Sequence, residues 1–213
     1  MTEASLKDSE FTQFQELIYR IAGISLADSK KALVSGRLAK RLKHFQLSSY
    51  GEYFQLLTSA SHPDEMQMAV DLLTTNETYF FREPKHFDFL RDKILPAHAH
   101  GRPFRVWSAA SSTGQEAYSI AMTLAHGLAG KPWEVMASDI SVRVLHQARS
   151  GHYPLEQAQH IHQDYLKRYC LKGTGPDAGT FLIDKTIRSK IAFTQVNLNE
   201  TLPQIGEFDL VFL

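Results

Sequence analysis

Apolar residues recur at helical spacing over the first third of the chain. Phe11, Phe14, Ile18 and Ile21 mark one stripe, and Leu33, Val34, Leu38, Leu42 and Phe45 mark another. The pattern predicts an all-helical segment over residues 10–73. Gly23 suits the position after a helix, Ser29 can cap the next one, and Ser49 with Glu52 forms an S-x-x-E capping box ahead of Tyr53, Phe54 and Leu57. Pro63 is placed to open a fourth helix running to Leu73. After Thr74 the period changes. Short β-rich runs at 104–107 and 134–137 alternate with helical runs at 116–128 and 142–149, which implies a parallel sheet with right-handed crossovers. Such sheets bind ligands at the carboxyl ends of their strands. Two more strands are readable at 191–196 and 208–213. Between the helix at 142–149 and these strands, glycines 173, 175 and 179 bound short runs such as 181–183, which reads as a small antiparallel excursion.

Composition narrows the picture little. The 213 residues, 43% of them hydrophobic, suffice for one large domain or two small ones. Lys and Arg number 23 and Asp and Glu also 23, so no global field draws the chain to nucleic acid or to an anionic membrane. The single cysteine, Cys170, has no internal partner, and the start MTEASLKDSE lacks the regions of a signal peptide. A reducing cytoplasm is the expected compartment. No run approaches the roughly 18 apolar residues of a membrane span, so direct membrane insertion is not expected.

Candidate chemistry gathers where the sheet begins. The first strand runs into a loop of small residues, 108–116, that opens a helix; small side chains let a ligand approach the backbone, and a helix start offers free N–H groups. An ordinary tight turn would look the same. The second strand, however, ends at Asp139, where a carboxylate can accept from both hydroxyls of a ribose. The competing role for Asp139 is to cap the helix near Val142, a job for which Ser141 is also available. The loop lacks the three glycines of a dinucleotide fingerprint and any phosphate-binding G-x-x-x-x-G-K-[ST] element. A nucleoside cofactor without phosphates remains, and adenosylmethionine is the common one. The ten histidines, His98, His100, His160 and His162 among them, show no metal-ligand spacing, so no metal is expected. At 74–84 polar residues are mixed with Tyr79, Phe80 and Phe81 ahead of Pro84; two of these aromatics are expected to glue the helical part to the sheet.

These residues resemble a known family, the CheR-type methyltransferases that methylate glutamates of bacterial chemoreceptors. The resemblance is carried by TTNETYFFRE at 74–83, VWSAASSTGQEAYSIAM at 106–122, ASDIS at 137–141, ARSGHY at 148–153, RYCLKGTGP at 168–176 and VNL at 196–198. Gln115 and Ala117 stand where the family usually has Glu and Pro. The resemblance implies an α/β fold: a small all-helical domain at 1–75, then a Rossmann-like methyltransferase domain at 76–213 with a β subdomain at about 165–190. It implies S-adenosylmethionine as methyl donor and S-adenosylhomocysteine as product. It places Asn76, Thr78, Arg82, Glu116, Asp139, Asn197 and Leu198 at the cofactor, with Asp139 on the ribose, Asn197 and Leu198 near the adenine, and Arg82 also in the catalytic role.

The partner implied is the cytoplasmic domain of a methyl-accepting chemoreceptor, an acidic helical bundle. The basic stretch containing Lys31, Arg37, Lys40 and Arg41 then looks like its docking surface, although such a stretch is ordinarily a solvated helix face. In some family members the β subdomain binds a receptor tail peptide by strand addition. Two other readings compete: the same cofactor with an RNA or small-molecule substrate, and a catalytically inactive cofactor- or receptor-binding remnant. Family members continue beyond the strand at 208–213, so the C-terminal strands are expected to be missing here. A chain ending at Leu213 is then expected to be poorly soluble or partly unfolded, which a monodisperse sample with cooperative melting would contradict.

Overall fold

The computed structural model describes residues 4–59, 61–98, 102–128 and 130–213. His100 lies outside them. The chain divides into two compact units, residues 1–75 with 197–201, and residues 76–196 with 202–213.

The first unit holds four helices, α1 (Asp8–Ala22), α2 (Lys31–His44), α3 (Tyr50–Thr58) and α4 (Pro63–Leu73). Phe11, Phe14, Ile18, Val34, Leu38, Tyr53, Leu57 and Val70 are buried among them, each worth about 1.5–3 kcal/mol by removal from water. Ile21, Leu33 and Phe45 stay half-buried at the edge of the predicted stripes. Gly23 ends α1 in the left-handed region at φ 68°. The last carbonyls of α1, which have no partner within the helix, accept from distant amides: Asn197 Nδ2 donates to Ile21 O at 2.8 Å and Asn199 Nδ2 to Arg20 O at 3.0 Å. Ser49 caps α3 as expected, but Glu52 reaches back to the N–H and hydroxyl of Ser48, one residue earlier than a capping box requires. Ser29 caps nothing. It lies inside a 3-10 turn, Asp28–Lys30, that leads directly into α2.

Charge is handled inside this unit as well. Glu65 is buried, and its carboxylate accepts from both Arg41 Nε (2.7 Å) and Nη2 (2.5 Å) and from the Tyr53 hydroxyl (2.6 Å). Burial alone would raise the Glu65 pKa, but the bonds from Arg41 and Tyr53 outweigh it and hold it below the usual carboxylate value. Arg37 donates to the Leu73 and Thr74 carbonyls at the end of α4.

The second unit opens on α5 (Pro84–Phe89), which passes through a π-helical turn (Leu90–Ile94) into α6 (Leu95–Ala97). Its main sheet is parallel, in the order β6 (Ile191–Gln195), β2 (Trp133–Asp139), β1 (Phe104–Ser108), β7 (Leu210–Phe212). α7 (Gln115–Gly127) follows β1, and α8 (Val142–Ser150) follows β2. Register brings Ser108 opposite Ala137 and Phe212, and Asp139 opposite Gln195, so these carboxyl ends lie side by side. A smaller antiparallel sheet has the order β3 (His152–Pro154), β5 (Thr180–Ile183), β4 (Cys170–Lys172). β3 lies ahead of the 165–190 span read from the sequence, because three residues show no period. α9 (Gln163–Tyr169) precedes β4, and α10 (Lys185–Arg188) precedes β6.

Two of the aromatics of residues 79–81, Phe80 and Phe81, pack in this unit's own interior. Phe80 is fully buried and meets Tyr153 edge-on at 5.0 Å and Phe181 at 5.7 Å. Phe81 packs on Phe87 and Tyr165. Tyr79 is exposed against His160. Phe80 and Phe81 thus pack within the sheet unit.

Candidate functional site

The loop from Ser108 to Gly114 is pinned at both sides. Ala109 N donates to Phe212 O at 3.0 Å, and Ser111 N donates to Ser138 O at 2.8 Å, which ties it to β7 and β2. Ser112 (φ 49°) and Gly114 (φ 97°) adopt left-handed conformations; a Cβ on Gly114 would stand 2.9 Å from both the Ala148 Cβ and the Tyr153 hydroxyl. Asp139, buried at the end of β2, accepts from Ser112 N (2.8 Å) and from Ser141 N (2.9 Å). Each such charge-assisted bond is worth about 1.5–3 kcal/mol. Ser141 caps α8, its Oγ accepting from Val144 N, and Asp139 ties the loop to the start of that helix through Ser112 N and Ser141 N. Ser112 Oγ donates in turn to Asn76 O at 3.4 Å.

On the other side of the loop lies a cleft of about 690 Å³, lined by Arg82, His86, Ala110, Glu116 and Phe212 among others. Glu116 stands in the first turn of α7, half-buried, and accepts from Ser108 Oγ at 2.6 Å. Burial raises its pKa above the ordinary carboxylate value, against the opposing pull of Ser108, His86 and Arg82. Arg82 is carried on a strained segment: Phe81 (φ 55°) and Glu83 (φ 56°), its two neighbours, both sit in the left-handed region at about 1–2 kcal/mol each. Its Nη1 donates to Glu77 O at 3.0 Å, and Phe81 N donates to Ser119 Oγ at 2.9 Å, which anchors the segment to α7.

One unit thus holds Asn76, Thr78, Arg82, Glu116 and Asp139, with Asn76 and Thr78 half-buried. Asn197 and Leu198 belong to the helical unit, where the Asn197 carboxamide is engaged with Ile21 O, Glu200 Oε1 and Asn199 N. Leu198 is exposed. Sequence reasoning missed His86 and Ser111. His86 follows Arg82 by four residues and enters the same cleft, a spacing that could have found it. Ser111 Oγ is buried without a hydrogen-bond partner among the described residues, which no composition signal foretells. A buried hydroxyl left waiting in a loop that hugs the backbone fits a polar ligand at this strand end. Among the described residues no cluster of His, Cys, Asp and Glu is arranged for a metal. Nor is any helix there long and apolar enough to cross a membrane.

Comparison with known proteins gives this geometry its class. Residues 76–213 match the model described as CheR methyltransferase, SAM binding domain, and residues 9–74 match CheR methyltransferase, all-alpha domain. Chemotaxis protein methyltransferase 2 of Pseudomonas aeruginosa is 45% identical over 206 residues, covering 95% of this chain and 73% of its own. The chemotaxis protein methyltransferase of Escherichia coli is 44% identical over 220 residues, covering 100% and 74%. That of Salmonella typhimurium is 41% identical, covering 98% and 72%. The domain over residues 76–213 is that of an S-adenosylmethionine-dependent methyltransferase. Within that class, the chain belongs to the CheR methyltransferase family.

Proposed function

We propose that this protein transfers a methyl group from S-adenosylmethionine to glutamate side chains of chemoreceptors, forming methyl esters. The observation that carries the reading is the cleft beside the 108–114 loop, where Arg82, His86 and Glu116 converge at the carboxyl end of β1. When bound, the cofactor supplies a sulfonium methyl that needs no further activation. A receptor glutamate, with an ordinary pKa near 4.3, is already an ionised nucleophile at neutral pH. The residues therefore have to hold and align. Asp139 shapes the loop and takes the ribose hydroxyls. Ser111 Oγ gains a partner there. Glu116 offers a carboxylate to the cofactor's ammonium group, and Arg82 presents a planar fork to a carboxylate. Charge is lost as a carboxylate and a sulfonium become an ester and a thioether, so a cleft poor in water favours the reaction.

Asn197 and Leu198 stay proposed adenine neighbours on the family resemblance, as does the docking of the acidic receptor bundle on α2. There, Lys40 and Lys43 are exposed and Lys31 pairs with the exposed Asp8. Arg37 and Arg41 already hold internal partners, so the salt-sensitive association is better probed at Lys40 and Lys43. The outer edge of β4, where Leu171 is exposed, supports strand addition of a receptor tail peptide. A cytoplasmic location accords with such a partner.

The test is transfer of labelled methyl from S-adenosylmethionine to receptor fragments and, in parallel, to RNA. Label on the fragments alone is expected. Label on RNA alone would move the substrate class, and tight cofactor binding with no transfer at all would favour the inactive remnant.

A further inference from the structure

At the other end of the sheet, a second cavity of about 390 Å³ is lined by Tyr118, Arg149, Lys185, Arg188, Ser189 and Phe193 among others. In the pairing with β2, Ile191 faces Val135, four residues before Asp139, so the lining from Lys185 to Ile191 lies toward the amino end of β6, while Tyr118 reaches the cavity from α7. Among the described residues, three cations and no carboxylate line it. The nearest acid in sequence, Asp184, points its Oδ1 at the Thr186 N–H (2.8 Å) and hydroxyl (2.6 Å).

Both guanidinium groups are held in place. Arg149 Nη2 donates to Phe193 O at 2.9 Å, and Arg188 Nε donates to Ile183 O at 3.0 Å. The Arg188 stem lies over Gly151, where a Cβ would come within 2.5 Å of its Cδ. Each group spends one N–H on the backbone and keeps the rest of its fork, so little side-chain freedom is lost when an anion binds. Beside them the half-buried Phe193 ring, backed by Tyr118 at 5.8 Å and 57°, offers an aromatic surface.

We propose that this cavity binds a nucleotide-type ligand, with its phosphates on Arg149, Lys185 and Arg188 and its planar base against Phe193. Arginine forks match phosphate oxygens bidentately, and base-on-ring stacking is indifferent to sequence. The volume lies in the usual range for small-ligand sites.

The experiment is calorimetry on the whole chain, presaturated with S-adenosylhomocysteine so that adenosine-bearing probes cannot report on the cofactor site. ATP, inorganic pyrophosphate and adenosine are titrated separately. ATP is expected to bind most tightly, pyrophosphate more weakly, and adenosine not measurably. Arg149→Gln and Lys185→Glu should each weaken ATP by about tenfold or more, the loss of one charge-assisted contact, with S-adenosylhomocysteine affinity unchanged. Arg188 is left intact because it packs over Gly151. The inference fails if neither ATP nor pyrophosphate binds, if adenosine binds as well as ATP, or if both substitutions leave ATP binding untouched.

Discussion

Glu116 shows how much the function of a residue can oppose its stability. Its pKa is raised in the folded state, so the folded chain binds more protons than the unfolded one between the ordinary carboxylate value and the raised one. Folding stability therefore falls as pH rises through that window. Glu116→Gln should raise the melting temperature at pH 7, with the gain vanishing below about pH 4. The same change should weaken cofactor binding and flatten its pH profile, whereas wild-type affinity should fall as pH drops through the raised pKa; calorimetry at several pH values reads both. Arg82→Ala should weaken S-adenosylmethionine by roughly tenfold to a hundredfold, the usual worth of a charge-assisted contact. Wild-type affinity in that variant would contradict the assignment. Asp139 stood out in the sequence because a strand end fixes where its side chain stands, whereas Glu116 was singled out by the family resemblance. Ser111 was not legible, since its isolation depends on Ser138, Asp139 and Phe212 closing around the loop from two strands, β2 and β7.

Among elements, the 108–114 loop tolerates little change. Gly114→Ala meets both an unfavourable φ and contacts at 2.9 Å, so about 1–3 kcal/mol of stability should be lost, read from denaturant midpoints. Helices and main-sheet strands were legible from their periods to within a few residues: the strand expected at 134–137 is Trp133–Asp139, and the helix expected at 116–128 is Gln115–Gly127. Elements held by distant partners were not. β3 exists because Tyr153 fits between Phe80 and Phe181, and α1 ends where it does partly because Asn197 and Asn199 take its last carbonyls. The strain at Phe81 and Glu83 was likewise hidden, since neither residue is a glycine that would announce a left-handed turn.

At the scale of the molecule, the basic stretch of α2 divides its labour between stability and recognition. Arg41→Ala leaves the Glu65 carboxylate buried without its cation and should destabilise the helical unit by about 3 kcal/mol. Because the Glu65 pKa is lowered, its contribution is present above the ordinary carboxylate range and is lost as pH falls through the folded value. Lys40→Glu with Lys43→Glu should instead spare the melting temperature and slow association with receptor fragments, most visibly at low salt. The balanced net charge concealed this division, which appears only when each cation is matched to its partner.

The central claim, carboxyl methylation of a receptor glutamate in the Arg82–Glu116 cleft, is tested most directly by mass spectrometry of a receptor fragment incubated with this chain and S-adenosylmethionine. The account predicts single methyl increments on glutamate side chains, removed by mild base as esters are, and reduced about tenfold or more with Arg82→Ala at subsaturating cofactor. A base-stable methyl group on another residue, or an unmodified fragment with cofactor demonstrably bound, would contradict it.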